Sequence, residues 1–422
     1  MQIKTFSVSD IQQKTVVMRV DFNVPLREKA GILVVSDDRR VKASLPTIRF
    51  LLKHKAKVVL LSHLGRPSEK KESKFSLAPV ARYLNETLKI PTAFADDSTL
   101  PNREKITELL QSNDLVLLEN MRFSAGEKKN DPELAKKLAA LGDVFINDAF
   151  SSSHRAHASV VGIAKYLPAF AGLSLQDEVA ALTKLNHQPR RPFVAVVGGA
   201  KISDKVGTLV ELAQHADIVL TGGGVANTFM KADGLEIHKS YIQDAPADLK
   251  KKGIDYVHVA KELISQMKTE HVWKDTYIPL PKILYPLDVV AAKDKESDDS
   301  KVLDLTHDAA DTPHDKNLMY LDIGPKTTKL YCEILRSAKT IFWNGPLGVF
   351  ENKEFAAGTK KIAQTIAQNT GTTIIGGGDT AAAIDSFKLN GSFTYVSNAG
   401  SASLEFLAGK ELPGLKVLMS DE

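Results

Sequence analysis

Short apolar runs alternate with longer segments of helical spacing along the whole chain. Each run is almost entirely apolar over four to six residues, which is typical of a strand that is buried on both faces of a sheet. On this basis we predict strands at 15–20, 56–62, 114–119, 193–198, 217–222, 340–345 and 372–377. The alternation of strand and helix patterns predicts an α/β fold in which parallel sheets are flanked by helices.

The segments between the strands mark one helix start and two polar stretches. Asp131 and Pro132 suit the cap and first turn of a helix, which we predict at 133–141. The stretch 186–192 is polar and rich in proline, which favours a linker. The stretch 293–315 is crowded with Asp, Lys and Ser, and we interpret it as a surface insertion with a short edge strand at 302–305.

The length of the chain predicts two domains. At 422 residues it exceeds the size at which one hydrophobic core stops growing. Helical spacing at 175–185, just before the linker, indicates a connecting helix. We therefore expect two Rossmann-like lobes, each a parallel sheet flanked by helices, joined by a hinge helix.

A strand, then glycines, then a helix recurs in the second half, at 194–201, 217–227, 340–348 and 372–383. Glycine lets the backbone approach a ligand closely, and the helix that follows points its free N–H groups at that ligand. Four such turns favour a nucleotide crevice over ordinary tight connections. The P-loop pattern is absent, and a loose dinucleotide match at Gly376, Gly378 and Ala381 lacks its acidic partner, since Val396 stands there.

Three charged residues accompany these turns. Asp379 follows three glycines, where its carboxylate could meet a Mg²⁺ ion or simply cap a helix. Lys201 and Lys205 lie four apart and would face the same way if a helix begins there. Two ammonium groups at a glycine turn suit an oligophosphate, although a solvated first turn is the alternative.

Polar and mostly basic residues follow the predicted strands of the first half. They are Asp21 and Asn23 after one strand, His63 and Arg66 after the next, Arg122 after a third, and His154, Arg155 and His157 after a fourth, with Arg39 and Arg40 nearby. The carboxyl ends of parallel strands converge, so these residues plausibly surround one pocket, and arginine suits phosphate and carboxylate groups. Surface salt bridges are the alternative. A serine hydrolase fits poorly because no G-x-S-x-G motif occurs.

Composition narrows the cellular setting. The net charge of +4 comes from dispersed residues, which suits small anions better than nucleic acid. Cys332 is the one cysteine, so a disulfide framework and a cysteine-based zinc site are excluded and a reducing, cytoplasmic location is expected. No apolar run is long enough for a membrane helix. We expect neither nucleic-acid nor membrane partners.

Ten segments together resemble the phosphoglycerate kinase family, in the family's order and over essentially the whole chain. They are RVDFNVPL, SHLGRP, the RF of ENMRF, NDAF…HRAHAS, VVGGAKISDK, GGGVANTF, LDIGPKT, WNGPLGVFE, GGGDTAAAI and ASLEFLAGKELPG. The resemblance implies reversible phosphoryl transfer between 1,3-bisphosphoglycerate with ADP and 3-phosphoglycerate with ATP, in glycolysis and gluconeogenesis. We expect a cytoplasmic monomer whose lobes close around both ligands.

The resemblance also implies roles for residues and domains. A phosphoglycerate-binding lobe would span 1–174 with 405–422 packed back on it, a hinge helix and linker 175–192, and a nucleotide-binding lobe 193–404. The phosphoglycerate ligands would be Asp21, Phe22, Asn23, Arg40, His63, Leu64, Gly65, Arg66, Arg122 and Arg155. The nucleotide ligands would be Lys205, Gly222, Gly223, Gly224, Asn344, Glu351, Gly377, Gly378, Asp379 and Thr380, with Mg²⁺ on Asp379. Arg40, favoured over Arg39 by its register, and Lys201 would act on the transferred group.

Two segments depart from the family pattern. The turn before ASLE reads SNAGSAS instead of a glycine triplet, and SSS precedes HRAHAS where Gly-Thr-Ala is common. Positive φ is costly for Ala and Ser, so a catalytically weakened, nucleotide-binding relative is one alternative. A kinase of the same fold that acts on another acyl acceptor is the other.

Overall fold

The chain divides into two compact units. The computed structural model describes residues 2–67, 72–96, 103–186, 189–203, 205–243, 255–266, 271–273, 276–278, 281–306, 315–397 and 399–420. One unit comprises Met1–Ala180 with Glu411–Glu422, and the other comprises Ala181–Lys410. The division falls within the helix Leu173–Asn186, which confirms the helix expected at 175–185. Within the linker expected at 186–192, residues 187–188 lie outside the described residues.

The first unit contains a six-stranded sheet in which every neighbouring pair is parallel. Its strands, in spatial order, are Ala93–Ala95, Leu115–Leu118, Lys57–Leu61, Thr15–Arg19, Val144–Asn147 and Ala169–Ala171. The predicted strands of this half are confirmed. Four adjacent strands of the sheet precede the polar segments singled out above, so those segments leave the sheet side by side.

Helices cover this sheet, and a hairpin extends from it. The helices are Val8–Ile11, Arg39–Lys53, Ala78–Glu86, Arg103–Ser112, Ala125–Lys129, Pro132–Ala139 and Pro413–Lys416, with the first part of Leu173–Asn186. Asp131 caps the helix predicted at 133–141, and its carboxylate accepts the Leu134 N–H at 2.8 Å. The sequence did not predict the antiparallel hairpin Leu26–Lys29 and Ile32–Val35.

The second unit repeats the plan with another parallel six-stranded sheet. Its strands, in spatial order, are Ile283–Leu284, Ile218–Thr221, Phe193–Val197, Thr340–Asn344, Thr372–Gly376 and Tyr395–Val396. Its helices are Val206–His215, Gly223–Ala232, Tyr256–Gln266, Pro325–Ser337, Ala357–Ala367, Gly378–Ser386 and Ser401–Leu407. The predicted strands are confirmed, and their all-apolar runs are explained by burial on both faces.

Two smaller sheets complete the second unit. Asp288–Ala292 pairs antiparallel with both Lys301–Asp304 and Met319–Ile323. The edge strand expected at 302–305 is therefore present one residue earlier, whereas residues 307–314 of the same polar stretch lie outside the described residues. His271–Trp273 and Thr276–Ile278 form a short antiparallel pair.

The two chain ends of the first unit lie together. The Lys4 N–H donates to the Leu418 carbonyl at 2.7 Å, and Ile3 bridges Met419. Residues 411–422 belong to this unit, whereas 405–410 belong to the second. Among the described residues, no helix combines the length and the apolar character needed to cross a membrane.

Candidate active site

The first unit gathers basic side chains at the carboxyl end of its sheet. We call His63, Arg40, Arg66, Arg122 and Arg155 the basic cluster. Each of the four arginines lies close enough for its charge to act on His63 or on another arginine of the cluster. Burial first, and then the charges of Arg19 and of three cluster arginines, hold the pKa of His63 well below its ordinary value. The structure therefore brings together the basic residues that the sequence placed after separate strands.

Arg40 and Arg39 have different partners. Arg40 Nη1 lies 2.5 Å from an Asp21 carboxylate oxygen, which also accepts the Ser151 hydroxyl. Arg39 instead pairs with Asp37, to which its Nε donates at 3.0 Å. Arg40 thus lies beside the segment after the central strand, which supports the choice of Arg40 over Arg39.

Backbone and amide groups hold Arg122 in place. Its Nη1 donates to the Gly65 carbonyl at 2.6 Å, while its backbone N–H donates to the Asn120 side chain at 3.0 Å. Asn23 Oδ1 accepts the Gly65 N–H at 2.8 Å, so Gly65 is hydrogen-bonded through its N–H to Asn23 and through its carbonyl to Arg122. The arginine is consequently fixed by the turn rather than by a carboxylate.

The surroundings of Arg122 disfavour its charged form. Burial and the neighbouring charges of Arg155 and Arg19 lower the pKa of Arg122 to about 10. Its Nε is buried and has no hydrogen-bond partner among the described residues. Leaving a buried charged donor unpaired is costly, so this atom indicates a site built for an anionic ligand.

Arg19 is a residue that the sequence reasoning missed. It ends the central strand, and 1% of it is exposed. The fully buried Glu127 offsets its charge, because the Arg19 Nε donates to Ser159 Oγ at 2.9 Å and that hydroxyl donates to Glu127 at 2.6 Å. A lone arginine within the otherwise apolar run TVVMRV was the available signal, since buried charges need partners.

Two of the residues predicted to bind phosphoglycerate have their side chains in the hydrophobic core. Phe22 is fully buried in the hydrophobic core, and Leu64 is 4% exposed in the same core. The Phe22 N–H donates to Ser62 Oγ at 2.9 Å, and the Leu64 carbonyl accepts the Asn120 amide at 2.7 Å. Their side chains are therefore part of the core, whereas Gly65 contributes its backbone N–H and carbonyl to hydrogen bonds with Asn23 and Arg122.

The second unit forms its site from interlocked glycine turns, which we define as residues 198–199, 222–224, 345–346 and 376–378. The Gly199 N–H donates to the Pro346 carbonyl at 2.7 Å, and the Val225 N–H donates to the Gly199 carbonyl at 3.2 Å. Gly199, Gly223, Gly345 and Gly377 have positive φ. At Gly224 a Cβ would come within 2.4 Å of the Ala200 carbonyl oxygen. A side chain is sterically excluded at Gly224, so the backbone itself forms the surface there.

A cavity of about 1100 Å³ opens beside these turns. Gly223, Gly224, Glu351 and Asp379, all predicted nucleotide ligands, line it together with apolar residues of neighbouring segments. Tyr241, Met319, Leu321 and Val349 also line it and were not predicted. They come from a loop, the antiparallel sheet and the 345–355 segment, whose neighbourhood no local pattern reveals.

Lys201 and Lys205 do not lie in one helix. The helix begins at Val206, Lys205 stands at its N-cap, and Lys201 lies exposed in the preceding turn. The two side chains therefore do not share a helical face. The Lys205 ammonium nevertheless reaches back to the turn, because a Cβ on Gly199 would lie 2.9 Å from its Nζ.

Asn344 and Thr380 lie beneath the last turn. Asn344 Nδ2 is buried without a hydrogen-bond partner among the described residues and lies close under Gly376 and Gly377. The Thr380 hydroxyl accepts the Gly345 N–H and donates to the Gly376 carbonyl, both at 2.7 Å. That hydroxyl is thus committed to joining two turns, whereas the Asn344 amide is free for a ligand.

Asp379 and Glu351 are exposed carboxylates on the cavity wall. Among the described residues, no group of three metal-ligating side chains occurs. Mg²⁺ typically takes one or two protein carboxylates and completes its shell with waters and substrate phosphates. The single carboxylate of Asp379 at the start of the helix Gly378–Ser386 fits that mode.

The glycine-poor segment SNAGSAS retains its glycine where the backbone needs it. Gly400 has φ +57°, whereas neither Ala399 nor Ser401 has positive φ. Asn398 lies outside the described residues. In the other departure, Ser151 binds Asp21 and Ser153 accepts the Asn147 amide at 3.1 Å. The strain expected for Ala and Ser is therefore absent from the described part of these turns.

Comparison with known proteins gives a consistent result. The family model described as phosphoglycerate kinase matches residues 6–410. The phosphoglycerate kinase of Pseudothermotoga lettingae is 43% identical over 408 residues, 96% of each chain. That of Pelotomaculum thermopropionicum is 42% identical over 417 residues, 99% of each chain. The solved phosphoglycerate kinase of Coxiella burnetii has a TM-score of 0.78 and 38% identity, with 99% of each chain covered.

Proposed function

The chain belongs to the phosphoglycerate kinase family, and we propose that its basic cluster binds the phosphoglycerate while its glycine turns bind the nucleotide. As a member it transfers a phosphoryl group reversibly between 1,3-bisphosphoglycerate with ADP and 3-phosphoglycerate with ATP. The observation that carries the assignment of sites is the buried Nε of Arg122, which lacks a hydrogen-bond partner among the described residues and lies near other arginines that repel its charge.

The first unit suits a small ligand with several negative charges. Arg66, Arg122 and Arg155 present guanidinium groups, which bind phosphate and carboxylate oxygens in bidentate geometry. Asp21 orients Arg40 through their 2.5 Å ion pair. Asn23 and Gly65 supply the frame, and Phe22 and Leu64 support it from the core. Repulsion among the cations is relieved when the anion binds.

The second unit suits a nucleotide. Gly222, Gly223 and Gly224 let the cavity wall approach a flat base, and Glu351 is placed to accept ribose hydroxyls. Gly377 and Gly378 open the helix Gly378–Ser386, whose N-terminus favours phosphate oxygens. Lys205 and the free amide of Asn344 add donors. Thr380 shapes this turn without using its hydroxyl on the ligand.

Asp379 would hold the Mg²⁺ ion that accompanies the nucleotide phosphates, and the ion would neutralise charge on them. Its position at the glycine turn agrees with one carboxylate ligand rather than a full protein cage. We propose that the enzyme works in the cytoplasm as a monomer.

The chemistry demands alignment more than proton transfer. The acceptor in the ATP-consuming direction is a carboxylate, which is ionised at neutral pH and needs no general base. Arg40 and Lys201 would stabilise charge on the transferring phosphoryl group, and closure around both ligands would exclude water. Lys201 is exposed in its turn, so its ammonium is available to follow that group.

A coupled assay with 3-phosphoglycerate and Mg-ATP tests this assignment. We expect Arg40→Ala and Lys201→Ala to lower kcat by about 10²–10³, as does removal of one oxyanion-hole donor. Arg39→Ala and Lys231→Ala are the matched controls, because Arg39 is paired with Asp37 and Lys231 lies at the far end of its helix. Wild-type rates in the first two variants would refute the assignment. Nucleotide binding without turnover in the wild-type protein would instead support the weakened relative.

A further inference from the structure

The hydrogen bond between Arg19 and His63 fixes the protonation state and the tautomer of the histidine. Arg19 Nη2 lies 3.1 Å from His63 Nδ1. A guanidinium group only donates hydrogen bonds and stays protonated in proteins, so Nδ1 must be the acceptor. An accepting Nδ1 requires a neutral imidazole whose proton is on Nε2. Burial and the surrounding arginine charges, which hold the pKa of His63 well below its ordinary value, agree with the neutral ring.

Arg19 is not itself free to bind a ligand. It is 1% exposed, and its Nη1 donates to the Val20 carbonyl at 2.6 Å and to the Leu61 carbonyl at 3.2 Å. Its Nε is committed to Ser159. The side chain is thus locked between the carboxyl ends of two neighbouring strands, and it acts on the pocket only through His63.

A buried relay holds Arg19 in this position. Although burial alone would raise the pKa of Glu127, the neighbouring His157, whose Nδ1 lies 3.6 Å from a Glu127 oxygen, and the charge of Arg19 hold that pKa below its ordinary value. The ionised Glu127 accepts the Ser159 N–H at 3.0 Å and the Ser159 hydroxyl at 2.6 Å. Ser159 Oγ gives its proton to Glu127 and must therefore accept from Arg19, which fixes the direction of the whole relay.

We propose that Arg19 is a positioning residue that holds His63 as its neutral Nε2–H tautomer, so that the cluster presents a directed N–H donor to an incoming anion. Among the described residues, His63 makes its one hydrogen bond through Nδ1, which leaves Nε2–H for the ligand. The proposal rests on the role of the basic cluster in phosphoglycerate binding given above. It adds a neutral N–H donor, which binds a ligand oxygen along one defined direction and brings no further positive charge to the cluster.

The tautomer can be observed in the ligand-free, full-length protein. Long-range ¹H–¹⁵N spectra of histidine-labelled protein at neutral pH distinguish the two tautomers directly. His54 is an internal reference, because its Nδ1 lies 2.8 Å from the Phe50 carbonyl, which can only accept. We expect opposite patterns, with the proton on Nε2 in His63 and on Nδ1 in neutral His54. His63→Gln and His54→Gln assign the signals. A proton on Nδ1 of His63, or an equal mixture, would overturn the proposal.

Arg19→Lys separates positioning from charge. Lysine keeps the positive charge but lacks the forked geometry, so we expect a mixture of His63 tautomers. We also expect a KM for 3-phosphoglycerate raised about tenfold, the effect of one hydrogen bond to a charged group, with the KM for nucleotide changed less than about twofold. An unchanged KM and an unchanged tautomer would show that Arg19 acts through its charge alone. A raised KM with an unchanged tautomer would show that Arg19 does not act by selecting the tautomer. Either result would overturn the proposal. If this variant does not fold, the wild-type tautomer still decides the matter.

Histidine variants distinguish failure of this inference from failure of the assigned site. A glutamine side chain can accept from Arg19 and donate to the ligand, so His63→Gln should retain more affinity for 3-phosphoglycerate than His63→Leu. Equal losses in the two variants would contradict the directed donor. An unchanged KM in His63→Leu, with the expected tautomer in the wild type, would refute the phosphoglycerate site and leave the Arg19 arrangement standing.

Discussion

The two units contain the same kind of parallel sheet, yet they form their sites from different materials. The first unit uses charged side chains, and burial together with repulsion by neighbouring arginines lowers the pKa of Arg122 to about 10. The second uses backbone at four glycine turns, and in three of them a Cβ at Gly198, Gly224 or Gly345 would collide with a neighbouring carbonyl. Under the proposed assignment this follows from the ligands. Phosphoglycerate brings no counter-ion, whereas a nucleotide brings its own metal ion and needs fewer protein charges.

The comparison predicts that the glycine site fails through sterics and not through charge. In Gly224→Ala the new Cβ would lie 2.4 Å from the Ala200 carbonyl oxygen and push the turn that precedes Lys201. We expect nucleotide affinity and kcat to fall about 10- to 100-fold, since small displacements of catalytic groups have effects of this size. Calorimetry with Mg-ATP and the coupled assay measure both.

Gly207→Ala is the matched control. Gly207 is likewise the second residue of a helix that follows a strand of the same sheet, but its Cβ would meet only Ala408 at an ordinary 3.5 Å. We expect near wild-type binding there. Affinity for 3-phosphoglycerate should be unchanged in both variants. Equal losses of nucleotide affinity in the two variants would show that the loss does not depend on the contact with Ala200.

Buried aspartates are a feature that the two units share. Asp148 accepts the Ser174 and Leu175 N–H groups at the start of the helix Leu173–Asn186, and Asp322 accepts the Gly358 N–H at the start of the helix Ala357–Ala367. Burial, only partly opposed by these hydrogen bonds, raises the pKa of each to about 7. Both carboxyls are therefore structural caps that hold a proton well above the ordinary pKa of aspartate.

The raised pKa values make stability pH-dependent in a defined direction. Between about pH 4 and pH 7 the folded state keeps protons that the unfolded state releases. Each aspartate thus lowers the free energy of unfolding as pH rises through that window, by up to about 1.4 kcal/mol per pH unit, and has no further effect above it. Asp148→Asn and Asp322→Asn remove the titrating group, so their unfolding curves should lose this slope. Curves parallel to the wild type would contradict the assignment.

The sequence predicted the parts of each site that follow a local rule. Strand ends placed the basic residues correctly, because the carboxyl ends of parallel strands meet at one edge. It failed where a residue's role depends on distant partners. Arg19 is buried only because Glu127 and Ser159, far along the chain, offset its charge. Lys201 and Lys205 do not share a helical face because the helix begins only at Val206, after both residues.

The smallest expected effect tests the electrostatic side of the comparison. Arg66 is exposed, contributes to lowering the pKa of Arg122 and makes no ion pair among the described residues, so replacing it should relieve repulsion without loss of packing. We expect Arg66→Gln to raise the ligand-free unfolding temperature of the first unit by about 1–2 °C, equivalent to about 0.5 kcal/mol. Arg49→Gln, which removes an exposed charge from the helix Arg39–Lys53 of the same unit, should change it little.

Bound 3-phosphoglycerate should reverse the order of stability of the wild type and Arg66→Gln. Saturating 3-phosphoglycerate stabilises in proportion to the logarithm of its concentration over Kd, so the wild type should gain more than Arg66→Gln and become the more stable protein. Mg-ATP should stabilise both equally, because the second unit binds it without Arg66. Scanning calorimetry with each ligand measures the four shifts. If Arg66→Gln is less stable than the wild type without ligand, the arginines of the cluster do not destabilise the first unit. The two sites would then differ in composition, but not in how much they lower the stability of their units.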